Sequence, residues 1–181
     1  MENKILKIKN YFLYNIVNPL NQKEIVVRSF QVWLMNLKLH GSLSRSRTRF
    51  IKLITDRIKE IDEERIKIAK EHAKNDKGEI IYIKDGKKST KEVDGSVFDI
   101  KDIDKFMKEW EEYLNEDYII DVTPSNKDII DGVKSILLST NDEFEGREAV
   151  RYDEWCEAFE AVWAKSEETP KEVKEFIKEN K

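Results

Sequence analysis

The chain has 181 residues, 39% apolar and 39% charged, with four Trp, six Gly, three Pro and one Cys. That length and apolar share suit one domain with its own core (1–181) and exclude a disulfide scaffold; the interleaved charge argues against disorder, and the shortage of turn residues against an all-β fold. The net charge of −4 conceals an asymmetry: residues 1–58 hold eleven Lys or Arg and three Asp or Glu, a balance of +8, and residues 59–181 a balance of −12.

Taken in chain order, Lys4 to Tyr14 alternates only partly and reads as a strand or the first turns of a helix, within a possible N-terminal arm of residues 1–22. Asn18-Pro19 breaks it. In Lys23 to Leu39, the apolar residues Ile25, Val26, Phe30, Trp33, Leu34 and Leu37 recur at helical spacing, and Gly41 suits the C-cap of that helix. Ser42 or Ser44 is the expected cap of a long helix over about 44–75. Its stripe passes through Phe50 or Ile51, Ile54, Ile58, Ile61 and Ile68, with Arg65 and His72 at positions where apolar residues belong. A helix of that length, about 45 Å, outgrows a small core and calls for a partner helix, within the chain or in a dimer. Lys77-Gly78 is expected to end it.

Glu79 to Phe98 is richer in β-formers and carries the turn dipeptides Asp85-Gly86 and Asp94-Gly95, so a hairpin or meander is predicted over 79–100. Helices are predicted at Ile103–Leu114, after Thr123-Pro124-Ser125, and at Val150–Ala164, with a short strand at Tyr118–Val122 and a polar loop at 139–147. Pro170 opens a last, peripheral helix over 170–181. The fold class is therefore mainly α with a small β-meander (α+β), built around the central helix.

The most unusual stretch is Ser42-Leu43-Ser44-Arg45-Ser46-Arg47-Thr48-Arg49-Phe50, where three arginines alternate with small hydroxyl residues at a helix start. Helix N-termini attract anions, and guanidinium forks and hydroxyls add charge-assisted contacts. Ser44, Arg45, Arg47, Arg49 and Lys52 are the candidate residues for an anionic partner. The competing structural reading pairs them with the acidic half of the same chain; arginine at a helix N-terminus opposes the dipole, so a partner of some kind is expected.

Catalytic signals are weak. Asp99, Asp102 and Asp104 could hold Mg²⁺ in a nuclease but read more simply as helix-start chemistry. His40 and His72 have no zinc spacing, Cys156 reads as a structural thiol, and no phosphate-binding glycine loop or nucleophile elbow is present. No enzyme activity, cofactor or metal is expected. Trp33, Trp110, Trp155 and Trp163 fall on helical apolar faces and are expected in the core. A lone cysteine, no secretory leader and no apolar run of about 18 residues point to a soluble protein of a reducing cytoplasm.

Two stretches carry a resemblance. One runs from Leu37-Lys38-Leu39-His40-Gly41 through Ser44–Ile51 to Glu63-Glu64-Arg65, Glu71-His72-Ala73 and Asp76-Lys77-Gly78. The other is Phe144-Glu145-Gly146-Arg147-Glu148-Ala149 with Tyr152-Asp153-Glu154-Trp155. Over residues 37–163 the chain resembles small proteins encoded by tailed phages and prophages of low-GC Gram-positive bacteria. The resemblance implies action in the host cytoplasm or in virion assembly and brings no catalytic residues. The expected function is a protein-interaction module, either an assembly or accessory factor or a binder that inhibits a host protein, with possible homo-oligomerisation through the long helix. The alternative is a nucleic-acid-binding protein using the basic N-terminal region.

Overall fold

A computed structural model describes residues 4–17 and 24–164. The helix expected over 170–181 and the break at Asn18-Pro19 lie outside the described residues. The rest is α+β as predicted, with a long central helix and small antiparallel sheets.

The N-terminal stretch is core, not an arm, over its described part. Strand β1 (Ile5–Lys9) pairs antiparallel with β9 (Asp117–Asp121), setting Leu6 opposite Ile120 and Ile8 opposite Tyr118. Strand alternation sends Leu6 and Ile8 inward, where both are fully buried, and Lys7 outward. A 3₁₀ turn (Asn10–Leu13) follows. Its Asn10 is buried and fully engaged: its side chain donates to the Tyr113 carbonyl and accepts from Arg57 Nε.

The helix expected from Lys23 begins later. Ile25–Val27 is strand β3, paired with β2 (Ile16–Val17), and helix α1 spans only Phe30–Asn36. Ser29 sets the boundary by accepting from the Val32 N–H, an N-cap that outweighs the apolar periodicity upstream. Gly41 does not close α1. It opens helix α2 (Gly41–His72), at φ +59, and neither Ser42 nor Ser44 is the cap, because His40 holds that position.

Helix α2 is 32 residues long and finds its partners within the chain. It packs on α4 (Lys127–Ser139) and α3 (Ile103–Leu114), and more lightly on α1. Phe50, Ile54, Ile61 and Ile68 are its buried stripe. Arg65 and His72, the two interruptions, lie at the margin: Arg65 reaches toward Asp62 at 3.8 Å, and His72 Nε2 lies 2.7 Å from Glu109 on α3. The helix stops at His72 rather than at Lys77-Gly78. That dipeptide, with φ of +52 and +90, makes the turn between β4 (Asn75–Asp76) and β5 (Glu79–Ile80).

The predicted meander is present. Strands β6 (Tyr82–Lys84), β7 (Lys87–Ser89) and β8 (Val97–Phe98) form a sheet ordered β7-β6-β8. The Asp85-Gly86 turn joins β6 to β7 with positive φ at both residues, as a mirror-type hairpin turn requires. Helix α3 coincides with its prediction and is capped by Asp102, which accepts from the Lys105 N–H. Helix α5 (Gly146–Ala161) starts four residues earlier than its apolar pattern suggested.

The core joins these pieces through aromatic rings. Phe30 and Trp33 of α1 stack at 5.7 Å and meet Phe50 of α2 and Trp155 and Phe159 of α5 within 6 Å. Trp110 is buried against Tyr14 and Tyr113. Trp163 departs from expectation: it lies just past α5, half-buried, with Lys4 and Lys127 ammonium groups at 4.4 and 4.9 Å from its ring.

Candidate partner-binding face

The α1–α2 corner is held by one arginine. Arg47 turns back and donates to the Leu37 carbonyl at 2.6 Å and to Ser44 Oγ at 3.4 Å. It therefore tethers the Leu37–His40 linker to the first turns of α2 and leaves the group of candidate binding residues. Ser44 is shared: its hydroxyl takes Arg47, and its carbonyl accepts from Thr48 Oγ1.

Arg45, Arg49 and Lys52 stand at i, i+4 and i+7, one stripe of a helix, whereas Arg47 is about 200° round from Arg45. All three are exposed. With Leu39, His40, Gly41, Ser44 and Thr48 they line an open depression of about 560 Å³ that contains no carboxylate. The first turn of α2 has no acidic residue either. Lys38 lies on the linker beside them. Among the described residues, none of Lys38, Arg45, Arg49 and Lys52 makes an ion pair or a hydrogen bond to a partner side chain.

Three other cations of the basic half have side-chain partners. Lys9 pairs with Asp117 at 2.7 Å, Arg28 takes both oxygens of Glu148 at 3.0 and 3.1 Å, and Arg57 pairs with Glu60 while binding Asn10. The expected pairing of basic and acidic halves is thus real, but it bypasses Arg45, Arg49 and Lys52. With α2 starting at Gly41, all three lie beyond the first turn, where the helix dipole has faded, and no carboxylate among the described residues pairs with them.

A second depression, of about 490 Å³, meets the first at Leu39. It is lined by Leu37, Ile136 and the polar end of α4 (Ser139, Thr140, Asn141), with Arg28 and Asp142 at its far side. Both of these are occupied, Arg28 by Glu148 and Asp142 by the Trp33 indole N–H at 2.8 Å.

The three aspartates once eligible for Mg²⁺ are parted by their duties. Asp99 is buried and held by Lys74 at 3.0 Å and Lys88 at 2.6 Å, with Lys88 foremost in keeping its carboxyl below the ordinary range. Asp102 caps α3, and Asp104 sits in the first turn of that helix. Cys156 is half-buried beside Tyr152, and burial raises its thiol above the usual range, as befits a structural cysteine.

Sequence reasoning missed the buried Arg151 of α5. It donates to the carbonyls of Tyr14 and Arg28 and lies 5.4 Å from the Tyr11 ring centre, clamping two N-terminal segments to α5. Burial lowers its pKa, the leading cause. These partners are more than 120 positions away, so no local pattern announces them.

Comparison with family models, curated proteins and solved structures finds no match to this chain. No helix among the described residues is long and apolar enough to cross a membrane.

Proposed function

We propose that the protein is an interaction module that docks an acidic partner protein on the face formed by Arg45, Arg49, Lys52 and the α1–α2 linker. The observation that carries this reading is the unmatched charge. Lys9, Arg28, Arg47 and Arg57 have internal partners, while Arg45, Arg49 and Lys52 line a depression without a carboxylate. Resemblance to phage-encoded small proteins supports a role as an assembly or accessory factor, or as a binder that disables a host protein, in the bacterial cytoplasm.

A nucleic-acid partner fits less well. No Phe, Tyr or Trp lines either depression, so the large aromatic platforms of single-strand binders are missing there. The net charge of −4 also repels a polyanion at long range.

The test is affinity capture from bacterial lysate, with and without phage infection and after nuclease digestion, comparing wild type with the Arg45→Ala/Arg49→Ala/Lys52→Ala triple variant. A stoichiometric protein retained by wild type and lost by the variant, at unchanged helical circular dichroism, supports the reading. Retention by both removes this face from it, and a catch lost to nuclease transfers the face to nucleic acid.

A further inference from the structure

The linker between α1 and α2 belongs to no sheet and is bounded by two extended residues. Leu37 (φ −71, ψ 137) and His40 (φ −124, ψ 158) are both extended. Leu37 is held on both sides: its N–H donates to the Leu34 carbonyl, and its own carbonyl receives Arg47. The backbone groups of Lys38 and Leu39, by contrast, bond to none of the described residues. Lys38 and His40 are exposed, and half-buried Leu39 is the ridge where the two depressions meet.

We infer that Lys38–His40 receives an extended acidic segment of the partner as an added strand. This deepens the proposed function and rests on it. An unpaired extended backbone is a template for strand addition, where main-chain hydrogen bonds supply affinity and flanking pockets supply selectivity. Here the Arg47 tether holds the start of the linker in place before binding, which lowers the ordering cost. One depression offers Leu37, Leu39 and Ile136 to an apolar side chain; the other offers Arg45, Arg49 and Lys52 to carboxylates. The ligand class that satisfies all three features is a peptide of alternating acidic and apolar residues in extended conformation.

The probe is a fluorescent peptide of alternating Glu and Val, titrated into the full chain at low salt and followed by anisotropy and by amide NMR. Binding should shift the Lys38 and Leu39 amide signals. It should weaken at least about tenfold when alternate peptide nitrogens are methylated, because charge is kept while the donors are lost. Lys38→Pro should weaken it similarly, since proline removes a linker donor and Leu37 already has the backbone that must precede it. Equal affinity for the methylated peptide, or unmoved Lys38 and Leu39 signals, overturns strand addition while leaving the basic face standing if the triple variant still loses the lysate partner. No binding of the peptide overturns the inference in the same way. Tighter binding of single-stranded DNA of equal charge overturns the choice of a protein segment and the proposed function with it.

Discussion

The side chain of Ser46 packs directly on the bare α-carbon of Gly132. A Cβ built on Gly132 would meet the Ser46 hydroxyl and lie 2.5 Å from its Cβ, closer than real atoms approach. Here α2 and α4 pack tightly, and the small residue between Arg45 and Arg47 is explained by helix packing rather than by an anion. Gly132→Ala should destabilise the fold by about 1–3 kcal/mol despite alanine's better helix propensity. Ser46→Gly should recover part of that loss in the double variant. Urea unfolding of the four-member cycle measures the coupling, and additive effects would contradict the contact.

The arginines of the helix start should separate by role. Arg47→Ala should lower stability by about 1 kcal/mol, because the Leu37 carbonyl loses its partner and the linker its tether. Arg45→Ala and Arg49→Ala should leave stability unchanged, since both side chains are exposed and bond to no described residue. Thermal melts of the three single variants decide this, and equal losses for all three would show that Arg45 and Arg49 have internal partners after all.

Acid should weaken the junction between α5 and the N-terminal segments. Arg28, foremost through its hydrogen bonds, holds the Glu148 carboxyl below the ordinary range. A carboxylate with a depressed folded pKa stabilises the fold above its unfolded pKa, and that contribution is lost as pH falls through the folded value. Stability should therefore decline below roughly pH 4.5, and the decline should be shallower in Glu148→Gln. At neutral pH, Glu148→Gln should cost about 0.5–1.5 kcal/mol, the pair being partly exposed to solvent. Denaturation midpoints against pH for the two proteins check both statements.

Asp99 is the clasp of the β-meander. Its side chain binds Lys74 and Lys88, and its backbone pairs with Lys74 and Ile81. Asp99→Ala should accelerate amide exchange across residues 75–98 while α4 and α5 keep their protection. Uniformly faster exchange through the whole chain would instead make Asp99 part of the global fold.

Sequence patterns alone were enough to find α3, the β-meander and the long helix. In each, a local signal and the burial pattern agree: Asp102 caps α3, Asp85-Gly86 turns the hairpin, and Phe50, Ile54, Ile61 and Ile68 recur at helical spacing. Boundaries failed where two local signals competed. Ile25 and Val26 fit the period of a helix, yet the Ser29 cap and pairing with β2 made them a strand.

The candidate face was only half readable. Its basic composition and its place at a helix start were visible in Ser44 to Lys52. Which cations remain free was not, because that depends on where the chain folds back. Arg47 is consumed by a carbonyl ten residues upstream, and Arg28 by a carboxylate 120 residues downstream. Composition and periodicity determined the α+β class and the basic stretch, since hydrophobic period and charge are local properties of the chain. Only the tertiary structure decided the partner of each charge, because a charge pair is fixed by distance in space and the chain's own order does not encode it.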